Sequence, residues 1–320
     1  MVPLPSLIAR EDERGQPLTL ASLLRQGEFV VTAELNPPKS ANAAVVRARA
    51  ALLKGSVDAV NVTDSNRANV AMAAIPAAIL VRDAGLEPIV QVTGRDRNRI
   101  AIQADLLGAA ALGLPSFLFM SGDDPKQGNH PDAVNVQDLS GVELVRTAAS
   151  LRAGRFLNGD ELTPAPSYLI GATASPGAPK DVEGTLDKIA AGAEFLQTQP
   201  VFDVGPFSQW LAEVRRRDRD VAIIAGVLVL RSLEQADRLA KVPGIAVPDA
   251  IRTRLRDAAD GAAEGIAIAV ETVRALRALP GVNGVHLYAI EWPDAIPLVV
   301  ERAGLLPRPA GPTRKEVRTA

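Results

Sequence analysis

Cysteine is absent from this 320-residue chain, which removes disulfides, thiolate nucleophiles and thiolate metal ligands together. Histidine is nearly absent: only His130 and His286 occur, too few for a histidine-based zinc cage, so no metal site is expected, with carboxylates the one remaining ligand type. The formal net charge of −2 carries no bias toward nucleic acid or an anionic membrane. No apolar run approaches the ~18 residues of a membrane span. The opening MVPLPSLIAREDERGQ lacks the basic stretch and apolar core of a leader, so the cytoplasm is the expected location. Arginine exceeds lysine and alanine is abundant, which reads as genome composition because the charges are scattered. No internal repeat or low-complexity linker divides the chain. Neither Gly-x-Gly-x-x-Gly after a strand nor a P-loop occurs, so any nucleotide cofactor must be held by the fold's own loops.

What is present is a recurring pattern. Six extended apolar runs stop on polar clusters: FVVTAELNPP, AVNVTDSN, PIVQVTGRDRN, FLFMSGDDP, FLQTQPVFD and VHLYAIEW. They set Glu34, Thr63 and Asp64, Gln91 and Thr93, Ser121 and Asp123, Gln199, and Tyr288 and Glu291 at or just beyond strand C-terminal ends. In a (β/α)8 barrel those ends converge on one active site. A chain that is 47% hydrophobic is long enough for one such core.

The alternation of strand and helix patterns predicts a parallel sheet with short connections. Eight strands are expected at 29–33, 59–62, 88–93, 116–120, 168–172, 195–198, 222–227 and 284–288, most of them continuously apolar as strands buried on both faces are. Helical patterns occupy 42–53, 70–84, 98–112, 186–191, 207–216 and 233–240. Two further helices, 249–259 and 262–279, separate strands seven and eight, one more than the minimum; they either cover the barrel or offer an interface for a homo-oligomer. Gly55, Gly85, Gly113 and Gly192 follow helices where left-handed caps are expected. The resulting division is an N-terminal extension over 1–26, a single (β/α)8 TIM barrel over 27–305 with its extra helix, and a frayed tail over 306–320.

The polar stretch after strand four, GDDPKQGNHPD, is long enough to be functional or disordered. Elsewhere the plain readings compete. Arg95, Arg97 and Arg99 read as a solvated helix start against a pyrophosphate clamp, and Arg215 to Arg219 as a charged helix end. Lys188 on its helix reads equally as a surface residue. His286 in an apolar strand reads as a core histidine, and Phe207 and Trp210 as packing residues.

Taken in order, AELNPPK, NVTDSN, VTGRDRN with IQADLLGAAALG, MSGDDPKQGNHPD, AGAEFLQTQPVFD and VHLYAIEW resemble methylenetetrahydrofolate reductases over residues 28–305, and in particular the bacterial branch with Ser/Thr-Gly-Asp. The resemblance implies an FAD-containing barrel that takes hydride from NADH or NADPH and reduces 5,10-methylenetetrahydrofolate to 5-methyltetrahydrofolate. It implies that Glu34 is the general acid, which requires a carboxyl pKa raised by burial or by a neighbouring negative charge. Asp123 matches the aspartate beside flavin and pterin, and Gln199 the glutamine on the pterin. Thr63, Gly122 and Lys188 match flavin contacts, with Gln91, Ser121 and Ala172 at the neighbouring cofactor positions, and Phe202 and Leu228 fall where folate or nicotinamide stacks. The implied partner is a folate-type small molecule, with no nucleic acid and no membrane.

Three departures bear on the flavin. Gln91 replaces a common histidine, Ser121 stands where the best-known bacterial members have arginine, and Ser175-Pro176 replaces Asn-Pro. Loss of charged partners weakens hydrogen bonding to a cofactor. Besides the flavin-dependent reductase, two readings therefore stand. One is a flavin-independent or altered-carrier one-carbon oxidoreductase, including a methanopterin-type substrate or the oxidative direction. The other is a non-catalytic barrel subunit of a one-carbon complex.

Overall fold

A computed structural model describes residues 18–177, 181–240 and 247–309. Eight strands, β1 (Val30–Leu35), β2 (Ala59–Val62), β3 (Glu87–Thr93), β4 (Ser116–Met120), β5 (Leu169–Ala174), β6 (Phe195–Pro200), β7 (Ala222–Leu228) and β8 (Gly284–Tyr288), pair in parallel and in sequence order. They close into a barrel when β1 pairs with β8. The (β/α)8 expectation holds. Strands β2, β4 and β8 begin and end as read from the sequence; the others extend one or two residues past an expected end, and β1 and β5 also start one residue late.

The helices are α1 (Leu20–Arg25), α2 (Ala43–Leu53), α3 (Ala74–Asp83), α4 (Arg99–Ala111), α5 (Gly141–Arg152) and α6 (Asp181–Ala190), followed by α7 (Val204–Arg217), α8 (Leu233–Leu239), α9 (Asp249–Asp257), α10 (Gly261–Ala278) and α11 (Ala295–Arg302). Asn42, Asn98 and Asp203 cap α2, α4 and α7 by accepting backbone N–H bonds, which is why those helices start where they do. Gly55, Gly85, Gly113 and Gly192 take positive φ after their helices, as expected. Three helices, α8, α9 and α10, lie between β7 and β8, matching the expected patterns at 233–240, 249–259 and 262–279. Helix α5 has no counterpart in that reading, although Ser140 and Glu143 form a reciprocal capping box at its start. None of the described helices is long and apolar enough to cross a membrane.

The barrel interior is layered. At the floor, Val30, Ala59, Ile89, Leu118, Leu169, Phe195, Ala222 and Ile224 pack against Leu20 and Leu23 of α1. The first backbone N–H of α1 is held by Glu87, which also accepts from Ser116 Oγ at 3.0 Å. Beyond the last strand, the Arg308 side chain is buried against Asp58 and donates to Phe29 O. Both stretches that the sequence reading sets outside the barrel therefore contribute to it where they are described. Above the floor the lumen turns polar, with Thr32, Asn61, Gln91, Gln197 and His286 all buried. Outside the strands, Val31, Ala33, Val60, Val62, Ile170, Ala172, Val285 and Leu287 join the larger core beneath the helices.

Candidate active site

The C-terminal ends of β1, β2 and β8 and their loops enclose a cleft of about 580 Å³, lined by Glu34, Asn36, Arg67, Thr63, Ile290 and Glu291 among others. Glu34 lies near the end of β1, the last inward position after Val30 and Thr32. Burial pushes its carboxyl up to about 7; the Asp123 charge adds to the rise, while a hydrogen bond from Asn36 and the Arg67 charge oppose it. Asn36 organises this corner. Its amide N–H donates to Glu34 Oε1 at 3.1 Å, and its Oδ1 accepts from Thr63 Oγ1 and Asn66 Nδ2, both at 3.0 Å. Arg49 holds the Asn36 carbonyl. Asn36 was not singled out from the sequence; its place two residues past Glu34, before the rigid Pro37-Pro38, was the available signal.

Two loops lock together beside the cleft. Asp123, just after β4, accepts the Arg67 backbone N–H at 2.9 Å, and Asn129 Oδ1 accepts that of Val70 at 3.0 Å. Gly128 passes so close to the other loop that a Cβ there would meet Ala68 O at 1.9 Å. Ser65, Arg67 and Ala68 all take positive φ, a strained course for residues with side chains, of the kind that accumulates at functional sites. The arginines after β3 hold this arrangement. Arg95 is buried and pairs with Asp96 while donating to Ser65 O and Asp64 O. Arg97 pairs with Asp64 and Asp105, and Arg99 with Asp138. Arg95 and Arg97 are thus drawn into ion pairs and are neither solvated nor an open clamp, whereas Arg99, exposed at the first position of α4, is the solvated helix start expected.

Below Glu34 a one-way chain of hydrogen bonds crosses the lumen. Asn61 donates to Gln197 at 2.7 Å, Gln197 to Tyr288 Oη at 3.2 Å, and Tyr288 to Thr198 O at 3.1 Å. His286 Nδ1 lies 2.8 Å from Thr32 Oγ1, and burial holds the imidazole neutral with its pKa lowered to about 3, so it is a core histidine as read.

Of the expected site residues, Glu34 and Thr63 line the cleft. Asp123 reaches it through Arg67. Gln91 is buried on β3, and Ser121 and Gly122 lead the loop after β4, Gly122 with φ +88°. Gln199 is exposed at the end of β6. Phe202 and Leu228 pack in one apolar cluster with Tyr288 and Ile290. Two expectations are corrected. Ala172 is wholly buried in the outer core, because β5 runs to Ala174 and the alternation of the strand sends Ala172 toward the helices. Lys188 is not a surface residue: its ammonium donates to Thr173 O at 2.7 Å, and burial lowers its pKa. Sequence periodicity showed the helix but not this reach to the end of a neighbouring strand.

The sequence profile of the family described as methylenetetrahydrofolate reductase matches residues 19–304. Methylenetetrahydrofolate reductase 1 of Schizosaccharomyces pombe is 24% identical over 236 residues, covering 71% of this chain and 37% of the relative. The chain thus spans well under half the length of that yeast protein. The 5,10-methylenetetrahydrofolate reductase of Pectobacterium carotovorum is 25% identical over 228 residues, 70% of this chain and 72% of the relative. Among solved structures, a Clostridium thermocellum protein that binds two copies of 5-methyl-5,6,7,8-tetrahydrofolic acid superposes with a TM-score of 0.65 at 15% identity, over 90% of this chain and 99% of that one. A riboflavin lyase superposes with a TM-score of 0.52 at 9% identity, over 89% and 93%. These two likenesses concern the fold. With the profile spanning the whole barrel, the chain belongs to the methylenetetrahydrofolate reductase family.

Proposed function

We propose that this protein reduces 5,10-methylenetetrahydrofolate to 5-methyltetrahydrofolate with hydride from NADH or NADPH. The observation that carries the reading is Glu34: a carboxyl on the cleft wall, pushed up to about 7 by burial, is part protonated at neutral pH and can donate. The reaction needs that proton. Opening the bridge between N5 and N10 moves the bonding pair onto N10, which takes the proton from Glu34 and leaves a 5-iminium cation. Hydride on the methylene carbon then gives the methyl group and oxidised nicotinamide. Asp123 carries the negative charge suited to the iminium, and Gln199, exposed at the mouth, offers both a donor and an acceptor to a pterin edge. The folate-binding Clostridium protein of similar fold supports the substrate class.

The residues present suit FAD at its anionic end. Lys188 is a half-buried cation beside the end of β5, and a Cβ on Gly141 at the start of α5 would lie 3.4 Å from Ser121 Oγ and 3.8 Å from Lys188 Cε. Ammonium, hydroxyl and helix N-terminal N–H groups thus converge, a donor set for a diphosphate. In this reading Ser121, Gly122 and Lys188 hold the cofactor, with Thr63 and Asp123 toward the reacting ring. FAD, when bound, would accept hydride from the nicotinamide and release it to the folate.

A second reading, direct hydride transfer without flavin, is favoured by one observation: Gln91, Ser121, Gly122 and Lys188 do not line the cleft that holds Glu34. An anaerobic mixing experiment separates the two. Flavin absorbance that bleaches with NADH or NADPH and returns with methylenetetrahydrofolate is the expected result. A colourless chain that consumes the nicotinamide only with folate present selects the second reading. A chain that consumes nothing in either mixture, and so behaves as a non-catalytic subunit, overturns both.

A further inference from the structure

We infer that Tyr288 is a positioning residue for substrate: its hydroxyl, tied to β6 across the lumen, fixes the strand bulge that presents Gln199 at the mouth. The inference rests on the proposed role of Gln199 as a pterin contact and adds the device that aims it. Strand β6 runs in register with β7 from Phe195 opposite Ala222 to Gln197 opposite Ile224, and then slips, so that Pro200 faces Gly226. Thr198 and Gln199 therefore stand against the single residue Ala225. Bulges of this kind bend a strand and re-aim a side chain, and they gather beside active sites.

Two features on other strands hold the slip in place. Gly226 on β7 comes close enough that a Cβ would meet Thr198 O at 2.5 Å and Gln199 O at 2.8 Å, so a side chain there is incompatible with the bulge. Its N–H donates to Thr198 Oγ1 at 3.0 Å, and that hydroxyl donates to Gln199 O at 2.9 Å. From β8, Tyr288 donates to Thr198 O at 3.1 Å and accepts from Gln197 at 3.2 Å, so it grips the last residue in register and the first residue of the bulge. The polarity of the chain beginning at Asn61 commits the phenolic proton to Thr198, which leaves Tyr288 no proton for a ligand in the lumen. It therefore acts on Gln199 and not on the reacting atoms. Thr198 stays buried while Gln199, the next residue, is exposed.

The test is a double-mutant cycle read by calorimetric binding of 5-methyltetrahydrofolate, with circular dichroism and thermal unfolding as checks on folding. Y288F keeps the ring and removes both hydroxyl bonds. It should weaken binding about tenfold, the scale of a lost buried hydrogen bond. Q199A should weaken binding by at least as much, and the Y288F/Q199A double variant no further than Q199A alone. In Y288F the Val201 and Gly226 amide N–H groups should also exchange at least tenfold faster. Wild-type affinity in Y288F, or a full additional loss in the double variant, overturns the inference while leaving the proposed function standing. A wild-type chain that binds no folate, or a Q199A chain that binds it fully, overturns the reading of the site itself and the inference with it.

Discussion

Glu34 and Glu87 sit at opposite ends of the same barrel, and burial pushes both carboxyls up to about 7. Their surroundings differ in kind. Glu87 at the floor accepts the Leu20 N–H and the Ser116 hydroxyl, and α1 closes over it. Glu34 at the mouth has one neutral amide partner, and it faces a cleft of about 580 Å³ together with Arg67. A raised pKa therefore does not find an active site by itself; a buried structural carboxyl produces the same number. What separates the two is how each carboxyl is held. Glu87 also borders a smaller space of about 360 Å³, but both of its oxygens are taken by donors, whereas Glu34 has one neutral partner and faces the larger cleft.

The sharpest break of this comparison is isosteric. E34Q should lower folate reduction by roughly 10²–10⁴-fold, the range typical of a lost general acid, while E87Q stays within about twofold of wild type; steady-state assays of both variants decide it. If E87Q fell as far as E34Q, the division between mouth and floor would be lost. Next in size is the floor's other buried charge. R308A removes the buried guanidinium paired with Asp58, leaves that carboxylate its Val31 N–H, and should cost about 3–5 kcal/mol in denaturant unfolding with little change in substrate KM.

Smaller is the pH dependence of stability. A carboxyl whose folded pKa lies above its ordinary 4.5 adds stability that is complete below about 4.5 and is lost as pH rises through about 7. E87Q should flatten that decline by about 1–2 kcal/mol in unfolding curves taken from pH 5 to pH 8, since the group is only partly shielded. The smallest effect belongs to Asn36, whose hydrogen bond lowers the Glu34 pKa. N36A should move the descending limb of the kcat profile to higher pH by less than about one unit.

Most of the barrel was legible because the strands are buried on both faces and read as nearly continuous apolar runs, six of which stop on polar clusters. The misses have separate physical causes. Helix α1 is six residues long and is held by Glu87 and the barrel floor, so no local periodicity announces it. Helix α5 did announce itself through Ser140 and Glu143, a signal passed over because it follows a long polar loop. Ala172 was misplaced because a two-residue error at the end of β5 makes an outward position look like part of the mouth. The site was legible in types and order: Glu34, Asp123 and Gln199 stand at three different strand ends. What joins them was not, since Asn36, Arg95 and Tyr288 act through partners 27 to 91 positions away.

The seam between the first and last strands has a consequence for synthesis. The contact of Thr32 with His286 joins residues 254 positions apart, and the same register brings Glu34 alongside Tyr288. While the chain emerges from the ribosome, β1 must wait as an unpaired edge until nearly everything else has been made, and closing so long a loop is slow. A chain cut short before β8 would therefore be exposed to aggregation, and its Glu34 would be left in water with an ordinary acidity. Completion of translation and the arming of the proton donor are, in this architecture, the same event.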